Sequence, residues 1–99
     1  MMSELLARLG RWYESQCNDD WEHHYGIRID TLDNPGWSLE IDLTDTSLIG
    51  REFAEVAVER TERDWMRCRI ADKRFEAFGG PGNLPEMLSV FLLWAESPE

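Results

Sequence analysis

The stretch TLDNPGWSLEIDL, residues 31–43, decides the fold. Trp37, Leu39, Ile41 and Leu43 alternate with Ser38, Glu40, Asp42 and Thr44, the period of two that sets one face of a strand against a core and the other in water. Just ahead, Asp33-Asn34-Pro35-Gly36 reads as a tight reversal: the proline fixes φ at the first corner and the glycine is free to take positive φ at the second. Upstream of the reversal Tyr25, Ile27 and Ile29 alternate with Gly26, Arg28 and Asp30. The two segments predict an antiparallel hairpin with one buried face.

Working outward, a second hairpin is predicted where Ala54, Val56 and Val58, then Met66, Cys68 and Ile70, alternate with polar partners across Thr61-Glu62-Arg63-Asp64. A short fifth strand falls near Arg74 to Phe78, after an Asp72-Lys73 turn, whereas residues 44–52 have no firm period. Before the first strand, Leu5, Leu6, Leu9, Trp12 and Tyr13 share one face at helical spacing. Ser3 is the expected cap of that helix, and Asn18 the left-handed residue after its end near Cys17.

At the other end Asn83-Leu84-Pro85-Glu86 carries a cap, a proline in the first turn and a glutamate three residues after the cap. The helix that follows is apolar from Leu84 to Ala95 over far more than a stripe. It should be deeply buried or lie against another protein. The expected class is α+β: an antiparallel four- to five-stranded meander sheet flanked by an N-terminal and a C-terminal helix. One domain is expected over residues 1–99, because 42% hydrophobic content with five Trp and four Phe fills a single core.

Twenty acidic against ten basic residues give a net charge of −10. That charge repels a phosphate backbone and favours a basic protein over nucleic acid or an anionic membrane, although composition alone is first of all accounted for by the solubility of a small protein. The N-terminus is amphipathic and interrupted by arginine, unlike a signal peptide, and no apolar run reaches the length of a membrane span. A cytoplasmic location is therefore expected, with Cys17 and Cys68 as free thiols.

SQCNDDWEHHYG, residues 15–26, is the densest run of reactive side chains. As a metal site it offers Cys17, Asp19, Asp20, His23 and His24, but neighbouring histidines in extended chain point to opposite faces, so no metal is expected. As a nucleophile Cys17 sits among Asp19, Asp20 and Glu22 at the negative end of a helix, which suppresses thiolate. The run GGPGN lacks the Lys-Ser/Thr of a phosphate loop. No cofactor and no catalytic residues are expected. Among the tryptophans, Trp12, Trp37 and Trp94 are in phase with apolar faces, while Trp21 lies amid acids and Trp65 falls opposite Met66, Cys68 and Ile70 in phase; these two are candidates for either a surface patch or local packing.

The pieces WYESQCNDDWEHHYG, TLDNPGWSLEIDL and GGPGNLPEMLSVFLLWA together resemble the bacterial immunity protein family Imm53, over nearly the whole chain apart from residues 45–62. The resemblance implies a cytosolic antidote that binds the toxin of a polymorphic toxin system. Some relatives carry a rhodanese-like sulfurtransferase label, but the loop that chemistry needs, a cysteine cradled by backbone donors and basic residues, is not visible. A basic toxin should then meet Asp19, Asp20, Trp21, Glu22, His23 and Asp33, in loops that the first helix and first hairpin could bring together, with Trp65 as a further anchor. Two alternatives stand beside this: a small thiol-dependent transferase using Cys17 with His23 or His24, and a homodimer or larger structural module built through the C-terminal helix.

Overall fold

The computed structural model describes residues 2–98. It contains α1 (Met2–Gln16), α2 (Trp21–His24), β1 (Ile27–Leu32), β2 (Gly36–Asp42), β3 (Val56–Glu59), β4 (Trp65–Ala71), β5 (Arg74–Gly79) and α3 (Leu84–Glu96). The five strands form one antiparallel sheet, and α1 and α3 flank it, as the sequence predicts for an α+β fold. The strand order is β1-β2-β5-β4-β3. It departs from a consecutive meander in one respect: β5, not β3, lies beside β2.

That order follows from what each strand can bury. The core face carries Leu39 and Ile41 of β2, Phe75 and Ala77 of β5, and Met66 and Cys68 of β4, all essentially inaccessible, so these three strands take the centre. The four-residue β3 and the charged β1 take the edges, where unpaired backbone meets water. Between β2 and β3, residues 43–55 cross to the far edge without strand or helix. Leu43 and Leu48 plug the core, and Thr46 Oγ1 bonds the carbonyl of Leu43 at 2.7 Å.

Helix α3 lies across β5 and β4, burying Leu84, Met87, Leu88, Phe91 and Leu92. Its other flank meets Leu5 and Leu9 of α1, and Trp94 packs on Phe53 and Phe75 at ring distances of 5.3 and 6.5 Å. Its breadth of apolar surface is thus explained by burial on several sides. Leu93, 65% accessible, is its one exposed large apolar side chain, so α3 offers no continuous apolar stripe to a second copy. Both long helices pack on the same face, and among the described residues no helix covers the opposite face.

Three local expectations are corrected. Ser3 lies inside the first turn of α1 rather than at its cap, and the left-handed residue after the helix is Asp19 (φ 70°) instead of Asn18. Gly36 has no positive φ; it already belongs to β2, opposite Leu32, and only Asp33, Asn34 and Pro35 form the loop. What demands a glycine there is close approach, since a Cβ would lie 2.2 Å from the Gly79 carbonyl oxygen. Gly80 is held the same way, its Cβ position 2.1 Å from the carbonyl oxygen of Arg63. By contrast, Asp72 (φ 53°) and Lys73 (φ 62°) make the two-residue β4–β5 turn, as the right-handed sheet twist prefers.

Candidate partner-binding surfaces

Residues 15–26 fold into a self-capped corner. The Glu22 carboxylate accepts the backbone N–H groups of Asn18 (2.9 Å) and Asp19 (2.8 Å), and Asn18 Oδ1 accepts those of Asp20 (3.1 Å) and Trp21 (2.9 Å). Glu22's own N–H foremost, then those of Asn18 and Asp19, lower the Glu22 pKa. Trp21 is turned inward and only 1% accessible, edge-on to Trp12 at 6.0 Å and tilted against Tyr13 at 5.7 Å. Of the two readings open for Trp21, surface patch or local packing, the ring packs, while Glu22, half-buried, clamps the loop; a short helical turn, not extended chain, follows Asp20. Asp19, Asp20, His23 and His24 remain exposed, with His24 Nδ1 3.0 Å from the Asp20 carbonyl oxygen.

Asp33 does not join this corner. It follows Leu32 at the far end of β1, roughly 20 Å away at the rise of an extended chain. Trp65 lies at Asp33's end of the sheet but three strands across, beside the β3–β4 turn. Its side chain is half-buried on the open face, together with Arg67 and Arg69, as its phase against Met66 and Cys68 predicted. The expected patch thus resolves into two surfaces, an acidic corner and an open sheet face.

The open face has more to it than the sequence reading found. Arg67 stands opposite Phe78 in the β4–β5 register, and Phe78 is half-buried there. Arg67, Glu55 and Phe78 line a shallow depression of about 310 Å³, and a neighbouring one of about 170 Å³ is lined by Glu59, Trp65 and Arg67. Around them Arg69 pairs with Glu76 (3.1 Å) and Arg74 with Asp42 (3.0 Å). Phe78 was legible in principle: Phe75 and Ala77 are in phase with the core, so an aromatic at 78 must fall on the polar face.

At one end of this face, Arg60 bonds Glu86 through both guanidinium nitrogens (2.7 and 3.2 Å) and Asp64 at 2.7 Å. Asn83 Nδ2 donates to Asp64 (3.0 Å) and Glu86 (3.2 Å), while its Oδ1 accepts the Trp65 N–H at 3.3 Å. The predicted capping role of Asn83 is corrected accordingly; its side chain ties α3 to the β3–β4 turn instead of capping α3. Asn83 and Arg60 lower the Asp64 pKa, and Arg60 foremost lowers that of Glu86. The network anchors the Trp65 backbone through that N–H.

No thiolate site is assembled. Desolvation and the Glu22 charge push the Cys17 thiol up, and the thiol donates to the Tyr13 carbonyl at 3.3 Å. Burial pushes Cys68 up to about 12. Among the described residues no three His, Cys, Asp or Glu side chains converge as metal ligands, and no helix is long and apolar enough to cross a membrane.

These features define a small α+β domain with one helix-covered sheet face and one open, mixed-charge face bearing aromatics. A family model described as Imm53, immunity protein 53, matches residues 6–96, and the chain belongs to that family of immunity proteins. No curated protein and no solved structure matches it.

Proposed function

We propose that this protein is an antidote that binds and neutralises a cognate bacterial toxin of a polymorphic toxin system in the cytoplasm, without catalysing a reaction. Membership of the immunity protein 53 family carries the proposal. The raised pKa values of both thiols support the non-catalytic part, since a thiol transferase needs a stabilised thiolate.

The contact is the open sheet face, centred on Trp65, Arg67 and Phe78. Tryptophan and arginine are the residues most often found at interface hot spots, and here they border depressions that a partner's side chains can fill. Asp19, Asp20 and His23 lie away from that centre, and Asp33 is at the sheet's other edge. The part of the three aspartates is long-range: within a net charge of −10, they accelerate encounter with a basic toxin surface.

The test is titration calorimetry and stopped-flow binding with the toxin encoded beside this gene. Trp65→Ala should weaken binding by roughly thirtyfold, the ~2 kcal/mol of a hot spot. Asp19→Asn with Asp20→Asn should slow association at low salt and leave dissociation unchanged. Full affinity in a folded Trp65→Ala, Arg67→Ala double variant would reject the open face, and no binding by wild type would reject the antidote function.

A further inference from the structure

Among the described residues nothing pairs with the outer edge of strand β1, and its hydrogen-bonding phase is fixed by its neighbour. The Asp42 N–H donates to the Gly26 carbonyl at 3.0 Å in the register that continues as Arg28↔Glu40 and Asp30↔Ser38. Antiparallel ladders alternate, so the even-numbered residues of β1 bond to β2 while Ile27, Ile29 and Thr31 aim their N–H and C=O groups outward. The Thr31 N–H is indeed capped locally by Asp30 Oδ1 at 2.8 Å. Ile29 shares the core face with its partner Leu39 yet is 40% accessible, beyond the cover of α1.

We infer that β1 pairs with β1 of a second copy, antiparallel about a two-fold axis at Ile29, to give a continuous ten-stranded sheet. Three features of the edge select this occupant and this register. First, a two-fold at residue 29 sets Ile29 against Ile29 and Ile27 against Thr31, all outward-bonding positions, so the ladder closes without disturbing β2. Second, it sets Arg28 of each copy opposite Asp30 of the other, in the closer, non-hydrogen-bonded kind of pair; opposite charges there stabilise and like charges destabilise. A two-fold one position earlier would oppose the two Arg28 side chains, and one position later the two Asp30 side chains. Third, Asp30 must release the Thr31 N–H for the new ladder, and the same movement frees it for Arg28.

The axis is perpendicular to the sheet, so the helix layers of the two copies come together on one face. Leu6 and Tyr13, exposed on α1 beside a cleft of about 520 Å³ that Ile27 also lines, lie at this junction. Both open faces, with Trp65 and Phe78, remain available on the opposite side. The dimer does not depend on the antidote reading, and its test does not use the toxin.

Sedimentation equilibrium of the full chain over a concentration series is the experiment, with circular dichroism to confirm folding. Wild type should approach twice the 11.6 kDa chain mass. Arg28→Asp and Asp30→Arg should each weaken the dimer by roughly tenfold, since each symmetric interface turns two favourable pairs into repulsive ones. The combined Arg28→Asp, Asp30→Arg chain should recover most of the dimer, short of the 3.6 Å Arg28–Glu40 pair within each copy that the swap also removes, and Ile29→Lys should abolish it. A wild-type monomer at the highest concentration, a dimer indifferent to the single swaps, or a loss that the combined swap does not repair would each overturn the inference.

Discussion

Gly36→Ala should damage this protein out of proportion to one methyl group. Gly36 does not have positive φ, so the backbone itself accepts alanine. The added Cβ, however, would stand 2.2 Å from the Gly79 carbonyl oxygen and 3.3 Å from its carbon, where real Cβ contacts stay beyond 3.0 Å. The obstacle is backbone and cannot rotate away, so the strands must separate by most of an ångström at that point. Among the described residues, the β2–β5 seam is the only strand pairing that joins the β1–β2 hairpin to the β3–β4–β5 unit. A cost near the top of the overpacking range, about 3 kcal/mol, is expected, which in a domain of this size lowers Tm by roughly 10–25 °C. The paired control is Gly10→Ala. Nothing lies within 4 Å of a Cβ there, in the middle of α1, so removing a helix-interior glycine should stabilise by about 0.5–1 kcal/mol. Thermal and urea unfolding followed by circular dichroism measure both. A Gly36→Ala midpoint equal to wild type would refute close approach as the reason for the glycine.

Three further outcomes are expected. Trp21→Ala should lose about 3–5 kcal/mol of unfolding free energy in urea titrations; Trp21→Phe should lose much less, because the buried indole N–H has no hydrogen-bond partner among the described residues and its removal leaves nothing unpaired. Asp64 and Glu86 have folded pKa values below their ordinary 3.8 and 4.5, so the stability they contribute is complete above the ordinary values and lost as pH falls through the folded ones. Acid unfolding should therefore steepen below about pH 4.5, and Arg60→Met should flatten that dependence; identical pH profiles would contradict the network. At neutral pH, iodoacetamide should spare Cys68 until the protein unfolds and should label Cys17 more slowly than free cysteine. Faster labelling of Cys17 would revive a thiol chemistry at this corner.

Trp21 and Trp65 show where sequence reasoning stopped. Trp65 is out of phase with Met66 and Cys68, whereas Trp21 stands amid acids, and neither position alone says whether the ring is exposed. Trp65 is on a strand, where period two leaves only two directions and one was already the core. Trp21 is in a four-residue helical turn after an irregular loop, too short for a period, and the side chains that cover it, Trp12 and Tyr13, come from the preceding helix. Asp33 and Asp20 were expected together in loops that the first helix and first hairpin could bring close, yet β1 holds them apart by its length. Phe53 and Leu48 were invisible for a related reason, since a crossing segment without regular structure leaves no pattern to read.

The sequence by itself determined the class: two long helices, four to five antiparallel strands, the core-facing residues of those elements and the β4–β5 turn follow from local periodicity and turn chemistry. The segments resembling Imm53 likewise placed the chain in its family without any coordinates. Tertiary structure decided the strand order, the separation of the acidic corner from the open face, and the purpose of Gly36, Gly80 and Asn83. These depend on which distant backbone comes within a few ångströms, and no local period encodes that distance.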